Sequence, residues 1–357
     1  MARVIPARAS AAALVAALLF GASTPLAKQL LREDSPMLLA GLLYLGSGVG
    51  LSVARLARDR RWHAPVLARR DWLWLLLAIG FGGVLGPLLL MLGLMRMPAA
   101  SASLLLNLEA VLTALLAWTV FRENTDRRVA LGMALIVAGA AVLAGHGAAY
   151  GPGFGSGAPL IGLACLCWAL DNNLTRKVSA SDAVFLAALK GLAAGGVNTG
   201  LALLIGERLP AAPGIAEAMT VGLFGYGVSL VLFVLALRGL GAARTSAYFS
   251  TAPFLGAAIA VLAFGEHPPA MFWLAAVLMM GGVWLHLQER HEHVHTHPTV
   301  AHTHRHIHEE DHRHSHGLGW DARQPHTHEH THGPLTHNHP HYPDIHHQHG
   351  HGGEERP

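Results

Sequence analysis

Ten runs of about 20 predominantly apolar residues follow one another before residue 289, and a chain so patterned has few ways to fold. They fall at 9–31, 36–57, 72–95, 98–121, 128–145, 158–178, 183–206, 214–237, 242–264 and 268–288. A bilayer core of about 30 Å is crossed by about 20 helical residues, because backbone amides and carbonyls cannot stay unpaired in hydrocarbon. The runs therefore predict ten transmembrane helices. Only 13% of the 357 residues are Asp, Glu, Lys or Arg, about half the usual share and too few to cover a water-soluble surface.

Arg3 and Arg8, ahead of the apolar stretch 11–20 and Gly21-Ala22-Ser23, imitate a secretory signal. The helical pattern runs on through Pro25 to Leu31, so the segment reads as the first span. With both termini in the cytosol, the inner loops hold thirteen basic residues, among them Arg60, Arg61, Arg69, Arg70, Arg127 and Arg128. The outer loops hold four: Lys28, Arg32, Arg96 and Arg208. That asymmetry is the positive-inside pattern of the cytoplasmic membrane, and it accounts for the net charge of +3 without nucleic acid. Cys165 and Cys167 lie in one span, where neither a disulfide framework nor a zinc-finger spacing can be drawn.

The spans repeat. Helix 4 ends Ala117-Trp118-Thr119-Val120-Phe121-Arg122-Glu123 and helix 9 ends Ala260-Val261-Leu262-Ala263-Phe264-Gly265-Glu266, with Gly139 and Gly282 in the spans that follow. Five spans is an odd number, so the second copy crosses in the opposite sense. The expected fold is an all-α membrane protein of two inverted five-helix repeats, 9–145 and 158–288, followed by a disordered tail, 289–357. Gly191 and Gly195, then Gly196 and Gly200, put small residues four apart in helix 7, which suits close helix packing. Pro25, Pro87 and Pro253 fall inside spans 1, 3 and 9, where each removes a helical hydrogen bond.

With these features the chain resembles the EamA branch of the drug/metabolite transporter superfamily, over residues 9–288. The residues that carry the likeness are Phe20-Gly21-Ala22-Ser23 with Lys28 closing helix 1, Trp168-Ala169 with Arg176 closing helix 6, and the paired Glu123 and Glu266. Two positions depart from the family pattern. Its Trp-Gly pair is split into Phe20-Gly21 and Trp168-Ala169, and the helix 9 proline, Pro253, has Ala110 as its helix 4 counterpart. The resemblance implies movement of metabolites such as amino acids, nucleotides or sugars, and no enzymatic reaction.

Ionisable side chains within a span cost several kcal/mol unless paired or hydrated, so each is a functional candidate. Asp171 lies near the end of helix 6 and Lys190 near the start of helix 7, both about 10 Å in from one loop at 1.5 Å per residue. An ion pair is predicted, either self-neutralising or part of an ion pathway. Asn172 and Asn173 add amides in the same turn. Glu109 is placed near mid-depth in helix 4, with Thr113 on its face and Asn107 off it. With no basic residue level with it, burial favours its protonated form. It is expected either to carry protons or to bond a backbone carbonyl of helix 9 or helix 1.

Of 26 histidines, 22 lie between His291 and His351, mostly as His-x-His, a composition that builds no core. Imidazoles at that density chelate zinc, nickel, cobalt or copper, the first ligand candidates being His291, His293, His295, His297, His302, His304, His306 and His308. Three His-Glu-x-x-His matches, starting at His291, His308 and His328, lack the stable helix that a zinc protease needs and read as chance. No bound cofactor is expected. Expected partners are the bilayer, a small-molecule or ion substrate and a second copy of the chain. Three functions stay open: a proton-coupled metabolite exporter, a divalent-metal exporter fed by the tail, and a membrane-anchored metal buffer.

Overall fold

In a computed structural model the described residues are 7–31, 35–59, 69–121, 127–146, 154–176, 183–240, 242–287, 292–297, 300–306, 326–332 and 335–340. Residues before 290 and after 289 form separate units. In the first unit the ten spans are all helical. Six are single helices: Ala7–Leu30, Pro36–Asp59, Arg127–Gly145, Phe154–Arg176, Ala183–Leu204 and Ala270–Leu287. Span 6 starts at Phe154, four residues earlier than expected.

The other four spans are interrupted: Pro87 and Pro253 marked a disturbance in spans 3 and 9, whereas no such signal was read in spans 4 and 8. Span 3 runs Arg69–Ala78, a π-helical Ile79–Leu85, then Gly86–Leu94. Span 8 repeats this as Ala212–Gly222, π-helical Leu223–Val228 and Ser229–Leu240. Span 4 breaks between Ala99–Leu105 and Leu108–Phe121, and span 9 between Ala242–Phe249 and Ala252–Leu262. The interruptions fall on matched spans of the two halves, as an internal repeat demands. Nine stretches of 18 to 25 residues are long and apolar enough to cross a bilayer, and Ala270–Leu285 is a shorter tenth. Large apolar side chains point outward: Leu204 is 83% exposed and Leu262 84%, a surface suited to lipid rather than water.

Contacts between spans 5 and 10 reveal the symmetry. A Cβ at Gly139 would lie 2.9 Å from Ala275 O, and a Cβ at Gly282 would lie 2.5 Å from Gly132 O. An offset of 143 residues relates Gly139 to Gly282 and Gly132 to Ala275, so exchanging the repeats maps one contact onto the other. A two-fold relation between the halves has this signature. Both glycines let backbones meet, and Gly282→Val is expected to destabilise the bundle by about 1–3 kcal/mol through overpacking. Thermal unfolding in detergent measures it; an unchanged midpoint would count against the contact.

The glycine stripe of span 7 divides in two. A Cβ at Gly191 would lie 2.7 Å from Gly48 Cα, and one at Gly195 2.6 Å from Leu45 N, so these residues seat span 7 on span 2. Gly196 and Gly200 meet no other element within 4 Å, and for them the packing expectation is corrected.

In the tail, four strands form two antiparallel ladders: β1 (Glu292–His297) with β4 (Leu335–Pro340), and β2 (Val300–His306) with β3 (His326–His332). Alternating His with Thr and Val suits such extended pairing. The register sets His293 opposite His339, His295 opposite His337, His302 opposite His330, His304 opposite His328 and His306 opposite His326. Two-stranded ribbons are marginal in water and supply no core. His297 stands opposite Leu335; His291 and His308 lie outside the described residues, as do Arg122 and Glu123.

Candidate functional site

Pro87 is the local cause of the site. In the π segment of span 3 the Gly86 amide bonds to Phe81 O, five residues back, so Gly82 O loses its α-helical partner. Its π-helical partner would be residue 87, a proline without an N–H. Side chains from other spans fill the gap: Tyr44 Oη donates to Gly82 O at 2.9 Å and Trp168 Nε1 to the same oxygen at 3.0 Å. Gly83 O, whose α-helical donor would also be residue 87, receives Asn198 Nδ2 at 3.4 Å, shared with Val84 O at 3.3 Å. Spans 2, 6 and 7 thus converge on one turn of span 3.

Span 6 carries the charges onto that turn. Asp171 packs directly against Gly82, where a Cβ would collide with its carboxylate. Lys190 Nζ from span 7 lies 2.5 and 2.7 Å from the two Asp171 oxygens, which is the predicted ion pair. Thr175 Oγ1 also donates to Asp171 Oδ1 at 2.8 Å, and Lys190 reaches Thr175 Oγ1 at 3.3 Å. Lys and Asp side chains are only 17% and 12% exposed, so water contributes little to screening them.

One residue on, Asn172 Nδ2 donates to Glu109 Oε1 at 2.9 Å. The expectation of a backbone carbonyl from helix 9 or helix 1 is corrected: the partner of Glu109 is a side-chain amide of span 6. Glu109 Oε2 has no hydrogen bond among the described residues. Thr113 Oγ1 is buried without a partner. Asn173 Nδ2 turns back to Ala169 O at 2.8 Å, so it bonds within its own helix rather than to Glu109. Asn107 sits at the break in span 4 and donates to Leu104 O at 2.8 Å. The structure therefore joins Glu109, Asn172, Asp171 and Lys190 and leaves Asn107 and Asn173 to backbone duties.

The second repeat has the same frame without the charge. Ser23 packs on Gly225 as Asp171 packs on Gly82, and the offset of 143 residues relates the two glycines. At the π turn of span 8 the Ser229 amide bonds to Phe224 O, and its own hydroxyl takes Gly225 O. From the π turn of span 3 a row of rings runs to that of span 8 and on beyond it: Tyr44 to Tyr226 at 5.5 Å, Tyr226 to Phe20 at 6.2 Å, Phe20 to Phe249 at 5.2 Å and Phe249 to Phe233 at 4.9 Å. Charges at one end of an aromatic seam between repeats can bind a polar group while the rings cover an apolar one.

Sequence reasoning missed Tyr44, Gly82, Thr175, Asn198 and Tyr226. A signal existed for some of them. Gly80, Gly82, Gly83 and Gly86 lead into Pro87 inside a span, a run that weakens helical bonding and leaves carbonyls seeking donors. Among the described residues no three His, Cys, Asp or Glu side chains group to hold a metal ion.

Ten spans in two inverted repeats, with paired charges at their seam, define a membrane transporter. The EamA-like transporter family matches residues 8–145 and 155–288, and the chain belongs to that family. An uncharacterised transporter of Methanothermobacter thermautotrophicus is 29% identical over 301 residues, 76% of this chain and 84% of that protein. A Pseudomonas fluorescens protein named probable 4-amino-4-deoxy-L-arabinose-phosphoundecaprenol flippase subunit ArnE is 36% identical over 110 residues, 31% of this chain and 94% of its own length. A crystal structure shares the fold with TM-score 0.57 and 21% identity, over 77% of this chain and 97% of that one.

Proposed function

We propose that the protein exports small polar metabolites across the cytoplasmic membrane, with both termini in the cytosol, and couples export to protons through Glu109. The observation that carries this reading is the Asn172–Glu109 hydrogen bond. It ties a carboxyl with one unbonded oxygen to the span that also bears Asp171, the acidic half of the pair with Lys190. A solute that hydrogen-bonds Asn172 competes with Glu109, and the released carboxyl then exchanges its proton with whichever side is open. Asp171 stays bound by Lys190 and Thr175 through that exchange, which keeps span 6 aligned. The uneven spread of basic residues between loops supports the orientation.

Divalent metal as cargo is less favoured: Asp171, one of the oxygen ligands such a path would use, is already held by an ammonium group. The histidine tail is proposed as an accessory metal-binding extension, supported by its His-x-His spacing. Secreted metabolites and growth in added nickel, cobalt and zinc should be compared between core-deleted, full-length and tail-truncated strains. The expected result is an external metabolite lost with the core, unchanged metal tolerance on losing the core, and reduced metal retention on losing the tail. Metal sensitivity produced by deleting the core would overturn metabolite export in favour of metal export.

A further inference from the structure

Two residues in the described chain adopt positive φ as glycines, Gly206 at 92° and Gly265 at 68°, and each is followed by glutamate. Both end a helix, of spans 7 and 9, where a left-handed residue turns the chain back. Glu207 N bonds to Ala202 O at 3.0 Å and Glu266 N to Ala260 O at 3.1 Å, which fixes both turns. The turns aim the two carboxylates the same way, at the starts of helices in the other repeat. Glu266 accepts the amides of Ala99 and Ala100, each at 2.8 Å, at the start of span 4. Glu207 accepts the hydroxyl of Ser35, which itself caps span 2 by taking the Leu38 amide at 3.2 Å. A carboxylate at a helix N-terminus gains from both the unpaired amides and the helix dipole.

We propose that Glu207 and Glu266 are paired latches that hold the two repeats shut at this end and must both let go for it to open. This rests on the transporter reading, in which inverted repeats rock against each other and expose each end in turn. Both contacts run from the second repeat to the first, so rocking must make and break them. At the Glu266 contact lies a cavity of about 400 Å³ lined by Lys28, Arg96, Met97, Glu266 and His267. Immediately inside, Ser103 on the capped helix is 1% exposed, so the seam is sealed at the latch.

The test needs no solute, so its failure leaves the role of Glu109 standing and the converse holds too. The protein, with Cys165→Ala and Cys167→Ala, is placed in lipid nanodiscs with Ser103→Cys as reporter and labelled with a maleimide. Ser52→Cys, further along span 2 from Ser35, is the control. Glu266→Ala and Glu207→Ala are each expected to speed labelling at position 103 about tenfold, the change that 1.4 kcal/mol brings, and to leave position 52 unchanged. Glu266→Gln, which keeps the shape and loses the charge, gives a smaller rise and serves where the alanine variant fails to fold. Unchanged labelling in the doubly substituted protein, or an equal rise at both reporters, would overturn the proposal.

Discussion

Glu109→Gln is expected to abolish transport driven by an imposed pH gradient while leaving the bundle folded. Glutamine keeps the length of the side chain and an oxygen that can accept Asn172 Nδ2, at the 2.9 Å contact made by Oε1. What it loses is the exchangeable proton. In proteoliposomes the gradient-driven flux should fall to that of protein-free vesicles, a drop of about 100-fold, in the range that removing a positioned proton-transfer group costs. Solute exchange without a gradient should persist, because the binding groups remain. Stability should move by no more than about 0.5 kcal/mol. Full gradient-driven activity in the variant would end the coupling role.

The second large effect concerns the neighbouring pair. Lys190→Ala leaves the Asp171 carboxylate against Gly82 with Thr175 as its remaining donor, in a span where charge is poorly tolerated. Removing one partner of a buried pair costs about 3–5 kcal/mol, and with side chains 12% and 17% exposed the lower figure applies. Asp171→Ala should cost a similar amount by stranding the ammonium. The double variant Asp171→Asn with Lys190→Met should regain most of the loss, since no charge is then left unpaired. Unfolding in mixed detergent micelles measures all three; single variants as stable as the parent would show that the pair is hydrated and the penalty absent.

These expectations draw unequally on sequence and structure. The Asp171–Lys190 pair was legible because depth along a helix is a linear function of residue number, and two antiparallel helices joined by a short loop bring equal depths level. The partner of Glu109 was not. Depth alone placed it at mid-membrane, but which neighbouring span faces it depends on how helices rotate about their axes, and rotation is set by packing. Asn107 and Asn173 illustrate the same limit from the other side. Both are polar, central and plausible by type, yet both donate their amides to carbonyls of their own spans. The π turn lay between these cases: Pro87 announced a disturbance in span 3 without saying that Gly82 O would be the orphan or that Tyr44 and Trp168 would reach it.

By itself the sequence determined the class of fold, because hydrocarbon allows apolar runs of this length one backbone solution, and it determined the inverted repeat, because five crossings reverse direction. It also marked where charge enters the membrane. Only the tertiary structure decided which spans meet. The π turns of spans 3 and 8, the 143-residue exchange of contacts between spans 5 and 10, and the convergence of Glu109, Asn172, Asp171 and Lys190 each depend on contacts between residues far apart in the chain. Such contacts are fixed by the fit of whole helices, down to single glycines that admit a backbone or a carboxylate, and no local pattern encodes that fit.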